Sequence, residues 1–183
     1  MLDVGCGPGI LASLLASRYG AYTGVDFSQA MVNAARRIAV ANGLQHCKFV
    51  CADAVDVMRD RHDAFDAIFM LDISEHVPDE EWGRIVRQAR QALKPGGIVY
   101  LHTPSLDFFV ERLKQHGWMR QFPEHVAVRT ASANMRFFTD ARYSAVECIP
   151  LPHYNILRWL HPLAGLPLVG RFFAARLWIA AIK

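Results

Sequence analysis

Met1-Leu2-Asp3-Val4-Gly5-Cys6-Gly7-Pro8-Gly9 decides the fold. Leu2 to Val4 read as a very short buried strand that runs straight into a glycine-rich turn. The turn opens a helix: Ile10, Leu11, Leu14 and Leu15 recur at helical spacing up to Tyr19, and Gly20 stops the pattern. Strand, turn and helix together form a cradle, because glycines let the backbone turn sharply and approach a ligand while the first helical amides face it. That is a nucleotide-type pocket. A dinucleotide fingerprint needs its third glycine one place later, where Ile10 stands, so NAD is disfavoured. A glycine turn can also serve only to pack a helix against a sheet, and the later motifs decide between the two uses.

The bulk composition narrows the class. At 183 residues the chain is most simply one domain, long enough to bury about 70% of its unfolded surface. Half of it is hydrophobic, a fifth is charged and the mean hydropathy is +0.12, which excludes disorder and leans toward an apolar partner or substrate. The net charge of +3 makes no case for DNA. Of the four cysteines, Cys6, Cys47, Cys51 and Cys148, only Cys47 and Cys51 form a close pair. No second pair completes a zinc site, so no metal is expected from them. No signal peptide precedes the first strand, and free thiols in a reducing cytoplasm are the default.

Along the chain, Ala21 to Asp26 reads as a second strand ending in a carboxylate 21 positions past Gly5 (26 − 5). That spacing suits an acceptor for the ribose hydroxyls of a nucleotide seated on the first turn, with Phe27 placed to pack on the base. Ser28 caps the next helix, whose stripe is Met31, Ala35 and Ile38 and whose stop is Asn42-Gly43. Cys47 to Cys51 is a third strand, followed by Ala52-Asp53-Ala54. Arg59 to Asp63 reads as a solvated loop. Phe65 to Pro78 holds a fourth buried strand and the loop beyond it, which ends in Ser74-Glu75-His76-Val77-Pro78. A helix from Asp79, carrying Trp82, Ile85, Val86 and Leu93, stops at Lys94-Pro95-Gly96-Gly97 before a fifth strand, Ile98 to Leu101. Alternating strands and helices imply an α/β fold with a doubly wound, mostly parallel sheet.

Four stretches in this order, Asp3 to Gly9, Asp26, Ala52-Asp53-Ala54 and Phe65 to Pro78, resemble the motifs of class I S-adenosylmethionine-dependent methyltransferases. The Glu75-His76-Val77-Pro78 ending resembles the ubiquinone-biosynthesis O-methyltransferase type. The resemblance covers residues 1 to 101 and implies a seven-stranded Rossmann-like sheet closed by a C-terminal antiparallel hairpin. It implies S-adenosyl-L-methionine as cofactor, with Gly5, Cys6 and Gly7 wrapping its amino-acid end and ribose and Asp3 supporting its amino group. It also implies Asp53 and Ala54 at the adenine, and Leu71 and Asp72 at the sulfonium. Glu75 and His76 anchor the next helix or serve in catalysis; both readings stand. Family members carry one or two helices before the first motif, where this chain has only Met1 and Leu2. The expectation is a truncated start, the alternatives being a partner or the C-terminal segment as cover.

Residues 102 to 183 form the substrate-side half of the single domain, with lid-like insertions at 105 to 130 and 150 to 171. A helix from Leu106 to His116 leads to a loop, Gly117 to His125, placed at the sheet edge where ligands bind in open α/β folds. His125 is the candidate general base and Arg129 the candidate anion anchor, with a plain surface loop as the alternative for both. Thr130 caps a helix through Phe138; Tyr143 to Ile149 and Phe172 to Ile182 read as the last two strands. The 150 to 171 stretch, with Leu157, Trp159 and Leu168 set among prolines, is too broken to span a bilayer. From Arg142 onward five basic residues face Glu147 alone. This stretch is a cover over a lipophilic substrate, a weak membrane-surface contact, or a second small core patch.

The reading is methyl transfer to a small, apolar or aromatic acceptor, with O-methylation favoured. The alternatives are a non-catalytic cofactor-binding partner subunit or degenerate homologue, and an RNA methyltransferase whose RNA binding would weaken steeply with salt. Nothing in the sequence sets the oligomeric state.

Overall fold

The computed structural model describes residues 1–152 and 158–183, Arg158 by its backbone alone. One seven-stranded sheet organises them, in the order β3-β2-β1-β4-β5-β7-β6. The strands are β1 (Leu2–Val4), β2 (Tyr22–Asp26), β3 (Cys47–Cys51), β4 (Phe65–Leu71), β5 (Leu93–Pro104), β6 (Ala145–Leu151) and β7 (Arg176–Ile182). β1 to β5 run parallel, while β7 is antiparallel to both β5 and β6, so the expected C-terminal hairpin closes the sheet.

Alternation along the strands divides the apolar side chains between two faces. Leu2, Val4 and Val25 face one core, which α3 (Ala54–Arg59), α4 (Asp79–Ala92) and α6 (Ala131–Asp140) cover with Met58, Trp82, Val86 and Phe138. Tyr22 and Phe49 face the other, under α1 (Ile10–Leu14) and α2 (Gln29–Ala41). The side chain of Asp3 lies on this second side, hydrogen-bonded by the Tyr22 hydroxyl.

Several expectations are corrected. The first helix ends at Leu14 rather than Tyr19; Tyr19 folds back so that its hydroxyl donates to the Ala12 carbonyl at 2.8 Å, and Ala12 is the buried position while Ile10 and Leu14 face outward. In α2 the buried stripe is Val32, Ala35 and Ala39, one residue out of phase with the expected Met31 and Ile38. Ser28 caps it as expected, accepting from the Met31 amide. The stretch before the charged loop is helical, as α3. β5 begins at Leu93, opposite Phe65, and Lys94 to Gly97 bulge out before Ile98 pairs with Ala67. β6 and β7 start later than expected, at Ala145 and Arg176, and Gly170–Phe173 ahead of β7 is a 3-10 turn. The helix expected at 106–116 is the shorter α5 (Phe109–Gln115). Of the 150–171 insertion, 153–157 with Leu157 lie outside the described residues.

Candidate active site

The C-terminal ends of the parallel strands surround a cavity of about 590 Å³, within the range of small-molecule sites. Gly5 follows β1, Asp26 and Phe27 end β2, Asp53 and Ala54 follow β3, and Asp72 and Ile73 follow β4. These are the strand ends where open α/β sheets bind ligands. Gly5 sits at φ 72°, and a Cβ there would stand 2.2 Å from Ile73 Cγ2. Only glycine lets the turn lie this close to the cavity wall.

Asp26 organises the cradle. One carboxylate oxygen accepts from the Gly7 amide at 2.9 Å and the other from the Ser28 amide at 2.8 Å. Each oxygen keeps a further lone pair, so the carboxylate can be held in place and still receive hydroxyls from the cavity. Phe27 beside it is 88% exposed, an aromatic face with no protein covering most of it. Asp53 caps α3, accepting from the Val55 amide at 2.7 Å. A turn with no space for a Cβ, a fixed carboxylate with spare acceptors and an open aromatic face fit an adenosine-bearing cofactor.

Not every expected residue lines the cavity. Gly7 joins the site through its bond to Asp26. Asp3, Cys6 and Leu71 stand behind the lining; Asp3 is sealed beneath the turn, where burial pushes its carboxyl up to about 7 against the opposing pull of the Tyr22 hydrogen bond. The Cys6 thiol is pushed up to about 12, by burial first and then by the charges of Asp3 and Asp26. Residues not anticipated complete the wall: Ile73, Val77, Glu81 and Ile85. Glu81 and Ile85 lie one turn apart on α4, a spacing of four readable in the sequence, whereas Val77 and Ile73 reach the wall from the turn before that helix.

Asp72 closes the far end with φ 53°. Its Oδ1 meets His102 Nδ1 at 3.0 Å and accepts from Arg176 at 2.8 Å. Burial works to raise its carboxyl, and the His102 hydrogen bond with the charges of His102, Arg176 and His76 outweighs that, leaving it below the usual range. Glu75 is 1% exposed, accepts from Thr103 at 3.3 Å, and has its carboxyl raised by burial.

His76 lines the cavity, and His125 packs edge-on against it with ring centroids 5.2 Å apart. The two expected catalytic histidines, 49 positions apart, thus meet. His76 Nδ1 contacts the Glu124 carbonyl at 2.8 Å, and the buried Nδ1 of His125 has no hydrogen-bond partner among the described residues. Glu75, His76 and His125 each offer a ligand atom, all within 4.8 Å of one another, a donor set that can hold a divalent cation.

Arg129 has another use than anchoring an anion. It is 6% exposed and donates to Asp79 at 2.8 Å and to the Ser74 and Val77 carbonyls, each at 2.7 Å. It staples the base of the 105–130 segment to the wall of the cavity. Ser105 and Arg129 also form a parallel bridge there, and Glu124 of the loop lines the cavity.

The strand order, the glycine turn and the acids closing β2 and β3 define a Rossmann-like methyltransferase. A solved S-adenosylmethionine-dependent methyltransferase from Archaeoglobus fulgidus has the same fold, with a TM-score of 0.78 and 15% identity over 100% of this chain and 85% of its own. So has the [4+2]-cyclase SpnF, with a TM-score of 0.69 and 22% identity over 100% of this chain and 73% of that one, so the fold alone does not decide the reaction. The family described as "Methyltransferase domain" matches residues 1–97, and the chain belongs to it, among the class I S-adenosylmethionine-dependent methyltransferases. The ubiquinone biosynthesis O-methyltransferase of Idiomarina loihiensis is 38% identical over 104 residues, 56% of this chain and 41% of the relative. The chain therefore spans about two fifths of that relative's length.

Proposed function

We propose that this chain transfers the methyl group of S-adenosylmethionine to a hydroxyl of a small, apolar or aromatic acceptor. One observation carries the reading: the cofactor cavity ends on the paired His76 and His125, where an acceptor proton can be removed. The O-methyltransferase name of relatives that match a little over half of the chain supports it.

S-adenosylmethionine supplies a methyl group already activated on a sulfonium, so the protein's work is alignment, exclusion of water and proton removal. Asp26 and Asp53 would hold the adenosine against Phe27 and the Gly5 turn. Ile73, Val77 and Ile85 keep that wall dry. The histidine pair would accept the acceptor proton, with His76 on the cavity wall oriented by the Glu124 carbonyl and His125 packed beside it. Four free cysteines suit a reducing compartment, the cytoplasm in our reading.

One observation favours a second reading of the same histidines. The Glu124 contact engages His76 Nδ1 and leaves Nε2 for another partner, the arrangement by which a carbonyl orients a metal-bound imidazole. A divalent cation on Glu75, His76 and His125 would then polarise the acceptor hydroxyl. Titrating the chain with S-adenosylmethionine and following labelled methyl transfer to phenol and catechol acceptors, with and without a chelator, tests both. Turnover that survives chelation and falls about a hundredfold in His125→Gln at unchanged cofactor affinity supports direct proton transfer. Loss on chelation, restored by a divalent ion, supports the cation. No transfer and no cofactor binding would sink the proposal.

A further inference from the structure

We propose that the sheet edge bearing the cavity docks onto an anionic lipid bilayer, through one patch built from the 117–126 loop and the 158–173 segment. Topology brings the two together: Pro104, at the end of β5, and Leu151, at the end of β6, both pair with Arg176. The segments that follow Pro104 and precede Arg176 therefore leave the sheet at the same edge, the one where the cavity lies.

Side chains join them further. α5 lies against the 170–173 turn, with Phe109 and Phe173 rings 6.0 Å apart and the Arg112 guanidinium over the Phe172 ring at 5.2 Å. α5 then runs directly into Trp118, whose amide donates to the Leu113 carbonyl at 2.9 Å.

The patch has the chemistry of an interfacial contact. Trp118 is 81% exposed, Trp159 70% and Leu168 92%, with Phe122 also exposed. Large aromatics whose rings combine an apolar body with a polar edge favour the headgroup boundary. Leu168 also sits at φ 68°, a left-handed conformation costly for a leucine, which holds its side chain out in solvent.

Charge selects the occupant. From Cys148 to Lys183 there is no Asp or Glu, and Arg158, Arg171, Arg176 and Lys183 are the charged residues. Arg120 and Arg171 are exposed among the apolar side chains; of the neighbouring acids, the Glu111 carboxylate of α5 is buried against Lys114 and Gln121, and the exposed Glu124 of the loop lines the cavity. Cations around exposed tryptophan and leucine suit an anionic phospholipid surface. No helix among the described residues is long and apolar enough to cross a membrane, so the contact lies on the surface.

The inference rests on the proposed function only in identifying the docked edge as the acceptor entrance, and its test needs neither cofactor nor turnover. The 183-residue chain is floated with vesicles of phosphatidylcholine alone and of phosphatidylcholine doped with phosphatidylglycerol. Binding to the anionic vesicles about tenfold tighter than to neutral ones, weakened by salt, is expected. Trp159→Asp with Leu168→Asp should lower it about tenfold or more at unchanged circular dichroism. Arg120→Gln with Arg171→Gln, which leaves the apolar patch intact, should remove the preference for anionic lipid. Equal partition of wild type and both variants, or no flotation with anionic vesicles, overturns the proposal. So does a doubled mass in sedimentation equilibrium that the Asp variant abolishes, since a second copy would then cover the patch.

Discussion

Gly5 has space for a hydrogen and nothing larger, because Ile73 fills the position a methyl group would take. Gly5→Ala adds a clash to a left-handed backbone and is expected to cost about 2–4 kcal/mol in urea unfolding and to abolish cofactor binding. Asp26→Ala removes the acceptor for two amides and the candidate acceptor for the ribose; calorimetric titration should show cofactor affinity lower by about 100-fold. Unchanged affinity would move the ribose site elsewhere. Asp3 carries a pH dependence of known sign. Burial lifts its folded pKa to about 7, above the 3.8 of an unhindered aspartate, so between these pH values the folded state binds more protons than the unfolded one. Stability from this group is greatest below pH 4 and falls as pH rises toward 7. Asp3→Asn keeps an acceptor for the Tyr22 hydroxyl and loses the charge. Its stability advantage over wild type should therefore widen by up to a few kcal/mol between about pH 4.5 and 7.5. A constant difference would show that Asp3 ionises normally.

At the scale of elements, the 105–130 segment depends on Arg129. Its guanidinium is buried while the Asp79 side chain is largely exposed, so most of its value lies in its bonds to the Ser74 and Val77 backbone carbonyls. Arg129→Met should cost about 2–3 kcal/mol and raise hydrogen exchange across 117–128, where the loop loses its tie to the Ser74–His76 turn. Unaltered exchange would mean that the Ser105–Arg129 bridge, with the Ala127 amide on the Glu75 carbonyl and His76 on the Glu124 carbonyl, holds the loop without the guanidinium. Most elements were legible because their signals are local. Ser28 before α2, and β3 bounded by Cys47 and Cys51, need no distant partner to be read. α3 was missed because Asp53 reads equally as a strand-end carboxylate; the Val55 amide it caps is visible only in the fold. α1 stops early for a tertiary reason, the Tyr19 hydroxyl on the Ala12 carbonyl.

For the whole molecule, cofactor binding and folding are linked. A ligand held by Gly5, Asp26 and Asp53 crosslinks the ends of β1, β2 and β3. S-adenosylmethionine at about 100 times its dissociation constant should add about 2.7 kcal/mol and raise the melting temperature by about 5–10 °C. Differential scanning calorimetry should show that rise in wild type and little in Asp26→Ala. The sequence by itself determined the alternation of strands and helices, the glycine turn and the carboxylates closing β2 and β3, since each is written in adjacent residues and backbone preference. Only the tertiary structure decided what those residues meet. It buried Asp3 beneath the turn, gave Arg129 to the 74–79 wall, set Ile73 against Gly5 and brought His125 to His76. These are contacts between residues far apart in the chain, and their geometry follows from how the strands order in the sheet and which faces the helices cover, which no local pattern of residues encodes.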